Sequence, residues 1–407
     1  MPARFWAALR AGDFVTWPRI RAYCTILALS YLAALAWALA GQGNIDPGGH
    51  PIGSDFVSFW TVSTLLQGGD IAAIYQPHGL AEFERLRVGV PAAKLFYAWF
   101  YPPIALLLVW PLALLPYLAS LAVWLAAGLA AYLTAIRAIL PDRRALFVAA
   151  AFPAVFVTLS HGQNAFVTTA LLGGALVLLD RRPLVAGILI GALAFKPQLG
   201  VLIPFALLAG GHWRTIAAAA MTVLALAVLS YAAFGLEAWR GFFTVSDLSR
   251  QTLEQGLVPY SKMQSPFAAV RLLGAPVPLA YAVQFLVSGI CVLLVAWAWR
   301  RPAALDFKST ALILATPLAT PFVLDYDLLM LALPTAWLSA HLLKDGAAPY
   351  EKTCLAALFF LPVVTRPLAG LTGFCPTPFL LAACLGLVIG RMQTAAAPFY
   401  RPGASLR

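Results

Sequence analysis

The chain has 407 residues, of which 62% are hydrophobic and only 11% are charged. Soluble domains carry about 25% charged residues, and a soluble protein of this length could not bury so much apolar surface. The composition therefore excludes a soluble enzyme or binding module. It predicts an all-α, polytopic membrane protein, because helices satisfy their backbone hydrogen bonds within the bilayer.

The formal net charge of +11 does not indicate a nucleic-acid-binding protein. Lys and Arg are concentrated in short turns between apolar segments, as in Arg143-Arg144, Arg181-Arg182 and Arg300-Arg301. Basic turns of this kind mark the cytoplasmic side of a membrane protein, whereas nucleic acid is bound by a basic patch or stripe. We therefore predict contact with membrane lipids, no nucleic-acid partner, and cytoplasmic termini.

A membrane-spanning helix needs about 20 apolar residues, or fewer if it is short or broken. The first apolar segment is longer than the apolar part of a cleavable signal peptide, so we expect it to be retained. The whole chain, 1–407, is then predicted to be one integral membrane domain with about twelve spans. The predicted spans are 22–40, 117–140, 145–160, 164–180, 183–195, 198–210, 213–234, 277–299, 308–322, 327–343, 353–369 and 376–391.

Two long loops are predicted on the outer side of the membrane, at 41–102 and 235–276. Within the first loop, apolar residues recur at helical spacing over 55–67 and again over 78–88, which predicts two amphipathic surface helices. The apolar segment 103–116 is short and rich in proline. We expect it to be a re-entrant or interfacial piece, because a full span would place one basic turn on the wrong side.

Asp55 follows the first predicted span and opens the first outer loop. Ionisable residues are rare outside the basic turns, so each one is a candidate for chemistry. Two compatible interpretations exist for Asp55: it N-caps the helix that follows, or it is a general base that takes a proton from an acceptor hydroxyl. We predict Asp55 as the catalytic residue.

Other polar groups on the predicted outer side are candidates for substrate binding. An imidazole and two amides in one turn between spans can hydrogen-bond a sugar or a phosphate. A lysine between two apolar spans either reaches the lipid headgroups or binds a phosphate as a point charge. These candidates are His161, Gln163 and Asn164 in the turn; Lys196 and Gln198; Lys262, Gln264 and Arg271 at the end of the second loop; and Asp325, Tyr326 and Asp327 at the outer membrane edge.

Asp325 and Asp327 place two carboxylates two residues apart, yet no third ligand for a divalent ion is evident nearby. We favour hydrogen bonds to a sugar, or ion pairs with Lys196 or Arg271. We predict no metal ligand and no cofactor. The sequence also contains no phosphate-binding glycine loop, G-x-S-x-G or H-E-x-x-H motif.

Taken in order along the chain, these polar blocks resemble glycosyltransferase family 87. The blocks are Asp55-Phe56 with Phe59-Trp60, Gly69-Asp70, Tyr75, Tyr101-Pro102-Pro103, His161-Gly162-Gln163-Asn164, Phe195-Lys196-Pro197-Gln198 and Met263-Gln264-Ser265. The resemblance extends from about residue 20 to about residue 340. It implies a GT-C fold, a polytopic helical bundle in the bacterial inner (plasma) membrane with its active site facing the periplasm.

The resemblance also implies an activity. Characterised relatives are mannosyltransferases that take mannose from polyprenyl-phosphate mannose and invert its anomeric carbon. In GT-C enzymes an acidic residue of the first outer loop acts as the base, and Asp55 occupies the matching position. The chain departs from the family pattern at Asp325-Tyr326-Asp327, where relatives tend to carry histidines.

We therefore predict a membrane glycosyltransferase that moves a hexose, with mannose favoured, from a polyprenyl-phosphate sugar to a periplasmic lipid or glycan acceptor. An inverting displacement needs one base and no covalent intermediate, which suits Asp55. Lys196 and Arg271 are the predicted cations for the departing phosphate. The alternatives are a transporter or lipid flippase, for which two matching halves with broken helices are expected, and a non-enzymatic assembly subunit.

Overall fold

The computed structural model describes residues 2–89 and 98–396 of the chain. Within these ranges the protein is almost entirely helical and forms no β-strand. The all-α, polytopic fold predicted from composition is confirmed. Nineteen α-helices and five short 3-10 helices follow one another along the described residues.

The helices before the turn at residue 162 include the first long apolar helix and all the elements of the first predicted outer loop. Several begin with proline in their first turn, where the missing N–H would have had no partner in the helix. In chain order they are α1 (Pro2–Ala11), α2 (Trp17–Leu39), α3 (Phe56–Gly68), α4 (Ile71–Ile74), α5 (Pro77–Val88), α6 (Ile104–Val109), the 3-10 helix Trp110–Leu114, α7 (Tyr117–Ile139), α8 (Arg143–Ala150) and α9 (Pro153–His161).

The helices after residue 162 form most of the apolar bundle. They are α10 (Ala165–Leu178), α11 (Pro183–Ala192), the 3-10 helices Leu193–Phe195 and Pro197–Gly200, α12 (Ile203–Gly210), α13 (Trp213–Gln255), the 3-10 helix Tyr260–Lys262, α14 (Pro266–Leu272), α15 (Val277–Arg300), α16 (Leu305–Ala319), the 3-10 helix Asp325–Leu331, α17 (Ala332–Asp345), α18 (Glu351–Thr372) and α19 (Thr377–Ala396).

Each of the twelve predicted spans corresponds to a helix or a bent helix pair, but not every one is long enough to cross a bilayer. Among the described residues, six helices have the length and apolar composition of a span, and α8 with α9, bent by 51°, makes a seventh if the pair is counted as one span. Helices of the length of α10 reach only about 20 Å at 1.5 Å per residue, less than the roughly 30 Å hydrocarbon layer. Of these short helices, α10 has eight of its 14 residues buried, whereas α11 leaves Leu184 and Ile188 exposed.

The first predicted outer loop contains the expected helices, although α3 is more buried than a surface helix. Nine of its 13 residues are buried, because α6 and the following 3-10 helix pack along it. The Ser63 hydroxyl links α3 to this 3-10 helix, because it donates to the Trp110 carbonyl and accepts from the Ala113 N–H. In α5, by contrast, burial is confined to one face, which consists of Leu80, Glu84 and Val88.

The second predicted outer loop is largely a continuation of α13. This 43-residue helix is interrupted at Gly235, whose φ of 71° and ψ of −179° are not helical. At 1.5 Å per residue the whole helix would measure about 65 Å, roughly twice the hydrocarbon thickness. The break at Gly235 coincides with the predicted start of the loop and separates an apolar segment from a charged one.

Two large hydrophobic clusters and a small third one, formed by Ala269, Ala369 and Cys375, make up the interior of the part that the structure describes. One large cluster contains most of α16, residues of the 3-10 helix Asp325–Leu331 and the first half of α17. The other contains α3, α6 and a group of aromatic residues of the first loop. Leu125 and Leu171 pack against both clusters. Tyr326 belongs to the first of the large clusters and Tyr101 packs against the second, so the buried polar residues that contact these two tyrosines lie where the clusters meet.

Candidate active site

Asp55 directly precedes α3, but its side chain does not cap the helix. No hydrogen bond joins its carboxylate to the first-turn N–H groups, and its φ and ψ of −82° and −18° are helical rather than extended, unlike those of a capping residue. Instead Oδ2 accepts a 2.8 Å hydrogen bond from Gln163 Nε2, and Oδ1 accepts one of 3.2 Å from the Ser54 hydroxyl. The N-cap interpretation is therefore wrong.

The turn that follows α9 fixes the position of Asp55. The Asp55 N–H donates to the His161 carbonyl at 2.9 Å. Gly162 ends α9 with a φ of 67°, and a Cβ at this position would lie 2.5 Å from Phe56 Cβ. Only glycine allows both the left-handed conformation and this close approach. The sequence therefore brings the polar turn and the catalytic candidate together through the backbone as well as through Gln163.

His161 lies beside Asp55 in this arrangement. Its ring Nδ1 is 2.9 Å from the Val157 carbonyl. Because a carbonyl can only accept, this hydrogen bond requires a proton on Nδ1, which also lies 3.1 Å from the Ser160 hydroxyl. Nε2 makes no hydrogen bond with any residue that the structure describes, so it is available to a substrate hydroxyl.

Asn164 and Lys196 continue the polar network into the interior. The Asn164 amide donates to the Tyr101 hydroxyl at 2.9 Å and accepts from Lys196 Nζ at 3.2 Å. Lys196 also pairs with Asp327 at 2.5 Å and lies 4.8 Å from the centre of the Tyr326 ring. Lys196 is only 3% exposed and Asp327 only 2%. Lys196 therefore does not reach toward lipid headgroups; its charge is neutralised within the protein.

Asp325 makes a separate ion pair that the sequence did not indicate. Its Oδ1 accepts from the Tyr326 N–H at 3.0 Å, and its Oδ2 accepts from Arg366 Nη1 at 3.1 Å. Asp325 is 1% exposed, whereas Arg366 is 43% exposed. Arg366 is the residue that sequence reasoning missed. The available signal was a single arginine inside the apolar segment 353–369.

Gln264 ties the second predicted outer loop to this region. Its N–H donates to the Val323 carbonyl at 2.9 Å, and Met263 pairs with Leu324 in an isolated antiparallel bridge. Its side-chain oxygen accepts from the hydroxyls of Thr365 and Thr377 at 2.7 and 2.6 Å. Gln264 is fully buried. Its contacts hold α18, α19 and the Asp325 segment together.

Three other predicted binding residues make no hydrogen bond to the residues of this network that the structure describes. Arg271 donates to the Ala275 and Glu254 carbonyls and to the Tyr260 hydroxyl, so its guanidinium is engaged within its own loop. Lys262 is half-buried and forms no ion pair with the residues described. Gln198 is half-buried in the turn after Lys196, and its side chain makes no hydrogen bond in the described part of the chain.

The Tyr101 phenol lies close enough to both Asp55 and Asp327 for the charge of each carboxylate to affect its pKa. Burial is the main cause that raises its pKa, and the carboxylates of Asp327 and Asp55 raise it further, against the opposing effect of the Asn164 hydrogen bond. The phenol is therefore neutral at physiological pH. Because its oxygen accepts from Asn164, its own hydrogen can be donated to another oxygen.

The carboxylates do not form a recognisable ion site. Across residues 2–89 and 98–396, no three side chains of His, Cys, Asp or Glu lie close enough to share one metal ion. Lys196 pairs with Asp327 and Arg366 pairs with Asp325, so each of these buried carboxylates already has a cationic partner. Independence from metal ions remains a prediction.

The fold defines a multi-pass membrane protein with a buried polar network between its two large apolar clusters. A sequence profile of glycosyltransferase family 87 matches residues 99–321, more than half of the chain, and the protein belongs to this family. No curated protein and no solved structure matches the chain. The matched segment includes Tyr101, the 161–164 turn and Lys196, while Asp55 and the 325–327 segment lie outside it. The protein is accordingly a membrane glycosyltransferase.

The Gln163 contact with Asp55 can be tested by the variant Gln163→Leu. A hydrogen bond to a charged group contributes about 1.5–3 kcal/mol, so loss of the amide should misplace the carboxylate and lower the transfer rate by about 10- to 100-fold. The measurement is the initial rate of sugar transfer in isolated membranes.

Gln67→Leu is the matched control for this variant. Gln67 lies on α3, the helix that follows Asp55, and its side-chain amide donates to the Trp110 carbonyl. It should transfer sugar at the rate of the unsubstituted protein. Equal rates for Gln163→Leu and Gln67→Leu would show that the Gln163 amide does not position Asp55.

Proposed function

We propose that this membrane glycosyltransferase transfers a hexose, with mannose favoured, from a polyprenyl-phosphate sugar to a lipid or glycan acceptor, with inversion at the anomeric carbon. Asp55 is the proposed general base. The observation that carries the proposal is the Asp55 carboxylate itself, which is held by Gln163 and Ser54 and not used as a helix cap.

The geometry of Asp55 suits proton abstraction from an acceptor hydroxyl. Each of its carboxylate oxygens accepts one hydrogen bond from the protein, and each has a second lone-pair site. A general base must lie within hydrogen-bonding reach of the proton it takes. Because Asp55 is only half-buried, an acceptor can approach the lone pairs that the protein leaves open.

The location of the protein in a membrane supports a lipid-linked donor. A sugar carried on a polyprenyl phosphate keeps its chain in the bilayer and presents its phosphate at the membrane surface. The positive-inside pattern supports an orientation in which both termini are cytoplasmic and the Asp55 end of the bundle faces the periplasm of a bacterial inner membrane. The donor and acceptor would then meet at the network that joins Asp55, Tyr101 and Asn164.

We assign Lys196 a positioning role within this proposal. Its ammonium donates to Asn164 and pairs with Asp327, and both partners are buried. A cation in this state has little capacity left for a donor phosphate. Lys196 therefore supports Asn164 and Asp327, and the positive charge for the leaving phosphate must come from elsewhere.

A transfer assay in isolated membranes tests the proposed function. Membranes that contain the protein are incubated with radiolabelled mannose on a synthetic polyprenyl phosphate, and incorporation into lipid and glycan fractions is measured. Parallel donors that carry glucose or galactose report the sugar preference. We expect incorporation with the mannose donor and none in membranes with Asp55→Asn. Translocation of the labelled lipid without any transfer would instead favour a flippase.

A further inference from the structure

We propose that Arg366 binds the phosphate of the lipid-linked donor, with Asp325 holding its guanidinium in place. This inference rests on the proposed function and adds a binding residue outside the segment that the family profile matches. Arg366 lies on α18, whose last residue is Thr372. At 1.5 Å per residue it is about 9 Å from the end of that helix.

The guanidinium of Arg366 is anchored on one side and open on the other. Its Nη1 donates to Asp325 Oδ2 at 3.1 Å, and it makes no other hydrogen bond with the described residues. A guanidinium carries five N–H donors in a fixed fork. With its partner carboxylate buried and the arginine itself 43% exposed, the unused donors can meet an anion from outside the protein.

Two of the other cations near this site are already engaged by the protein, and the third, Lys262, makes no ion pair with the described residues but offers only a point charge. Lys196 is buried and neutralised by Asp327. Arg271 has its guanidinium bound to the Tyr260 hydroxyl and two backbone carbonyls. Arginine recognises phosphate through two parallel hydrogen bonds, which a point charge cannot provide. Arg366 is therefore the cation whose geometry best fits a phosphate.

Hydrogen bonds beside Arg366 also connect α18 to the segment that carries Asp325 and Asp327. The adjacent Thr365 hydroxyl donates to Gln264, and the Gln264 N–H donates to Val323, two residues before Asp325. These contacts bring α18, the end of the second loop and the Asp325 segment together. An arginine within an apolar membrane helix is costly unless it faces a partner or a water-filled cavity. Asp325 is that partner, and it engages only one of the five N–H donors of the guanidinium.

The test compares binding of decaprenyl phosphate and of neutral decaprenol to the full chain in detergent. Arg366→Ala alone would leave Asp325 as an unpaired buried carboxylate and could unfold the protein. Asp325→Asn is therefore the reference, and Asp325→Asn combined with Arg366→Ala is the test variant. We expect the double variant to bind decaprenyl phosphate at least 10-fold more weakly than the reference, with no change for decaprenol.

Two further variants sharpen the comparison. Arg366→Lys retains the charge without the fork, so its affinity for decaprenyl phosphate should lie between those of the unsubstituted protein and the double variant. Arg250→Ala removes an exposed arginine that pairs with Asp247 and Glu254 on α13. It should leave both affinities unchanged and serves as the matched control.

The outcomes separate this inference from the proposed function. If the unsubstituted protein transfers sugar from a polyprenyl-phosphate donor while the double variant binds decaprenyl phosphate as tightly as Asp325→Asn, the Arg366 assignment is overturned and the function stands. If the unsubstituted protein neither transfers the sugar nor binds decaprenyl phosphate, the proposed donor class fails, and the Arg366 assignment fails with it.

Discussion

Asp55→Asn is expected to abolish measurable sugar transfer while leaving the fold intact. A general base contributes about 10²- to 10⁴-fold to a rate, and an amide cannot supply it. Asparagine keeps the size of the side chain, and its oxygen can still accept the hydrogen bond from Gln163. No cap is lost, because the Asp55 side chain does not cap α3. Transfer from the labelled donor and thermal unfolding should be measured on the same preparation.

Asp70→Asn is the matched control for this prediction. Asp70 lies in the same loop and does cap a helix, since its Oδ1 accepts from the Ala73 N–H at 3.2 Å. Asparagine is as good a capping residue as aspartate, so this variant should retain both stability and transfer. Normal turnover by Asp55→Asn would exclude Asp55 as the base.

Lys196→Ala is expected to destabilise the protein by about 3–5 kcal/mol, because it leaves Asp327 as an unpaired charge in the interior. The combined variant Lys196→Met and Asp327→Asn removes both charges and should recover most of that loss. The measurement is the free energy of unfolding in detergent, or the shift in the midpoint of thermal unfolding. An equal loss in the single and the combined variant would contradict the importance of this ion pair.

Kinetics of the combined variant also separate two roles for Lys196. If Lys196 positions Asn164 and Asp327, kcat should fall while the KM for the donor stays near its original value. If Lys196 instead contacts the donor phosphate directly, the donor KM should rise. Arg250→Ala, which breaks an exposed ion pair, should change stability by no more than about 1 kcal/mol.

Composition and periodicity were sufficient to predict the helical membrane fold, since burying so many apolar residues leaves few other solutions. They were less informative about span length. Helices such as α10 and α11 are as apolar as a membrane span but shorter than one, and an apolar run in the sequence does not show where the helix within it begins and ends. The burial of α3 could not be predicted from the sequence either, because it depends on how α6 and the 3-10 helix Trp110–Leu114 pack against α3.

For the candidate site, sequence reasoning found most of the residues but not their partners. The scarcity of charge in an apolar chain pointed to Asp55, Lys196 and Asp327. The contact between Gln163 and Asp55 joins residues 108 positions apart, and no local pattern encodes it. Arg366 was missed because it lies in an otherwise ordinary apolar segment, and its importance depends on Asp325 approaching it in three dimensions.

The ion pair between Lys196 and Asp327 has a consequence for the biogenesis of this protein. Its partners are separated by 131 positions in the chain. At a synthesis rate of about 5–20 residues per second, Lys196 emerges from the ribosome roughly 7–26 s before Asp327 does. During this interval its ammonium can reach Asn164, which is already synthesised, but it lacks the carboxylate that neutralises its charge. We therefore expect the segments on either side of Lys196 to settle in the bilayer only after the later helices have been inserted.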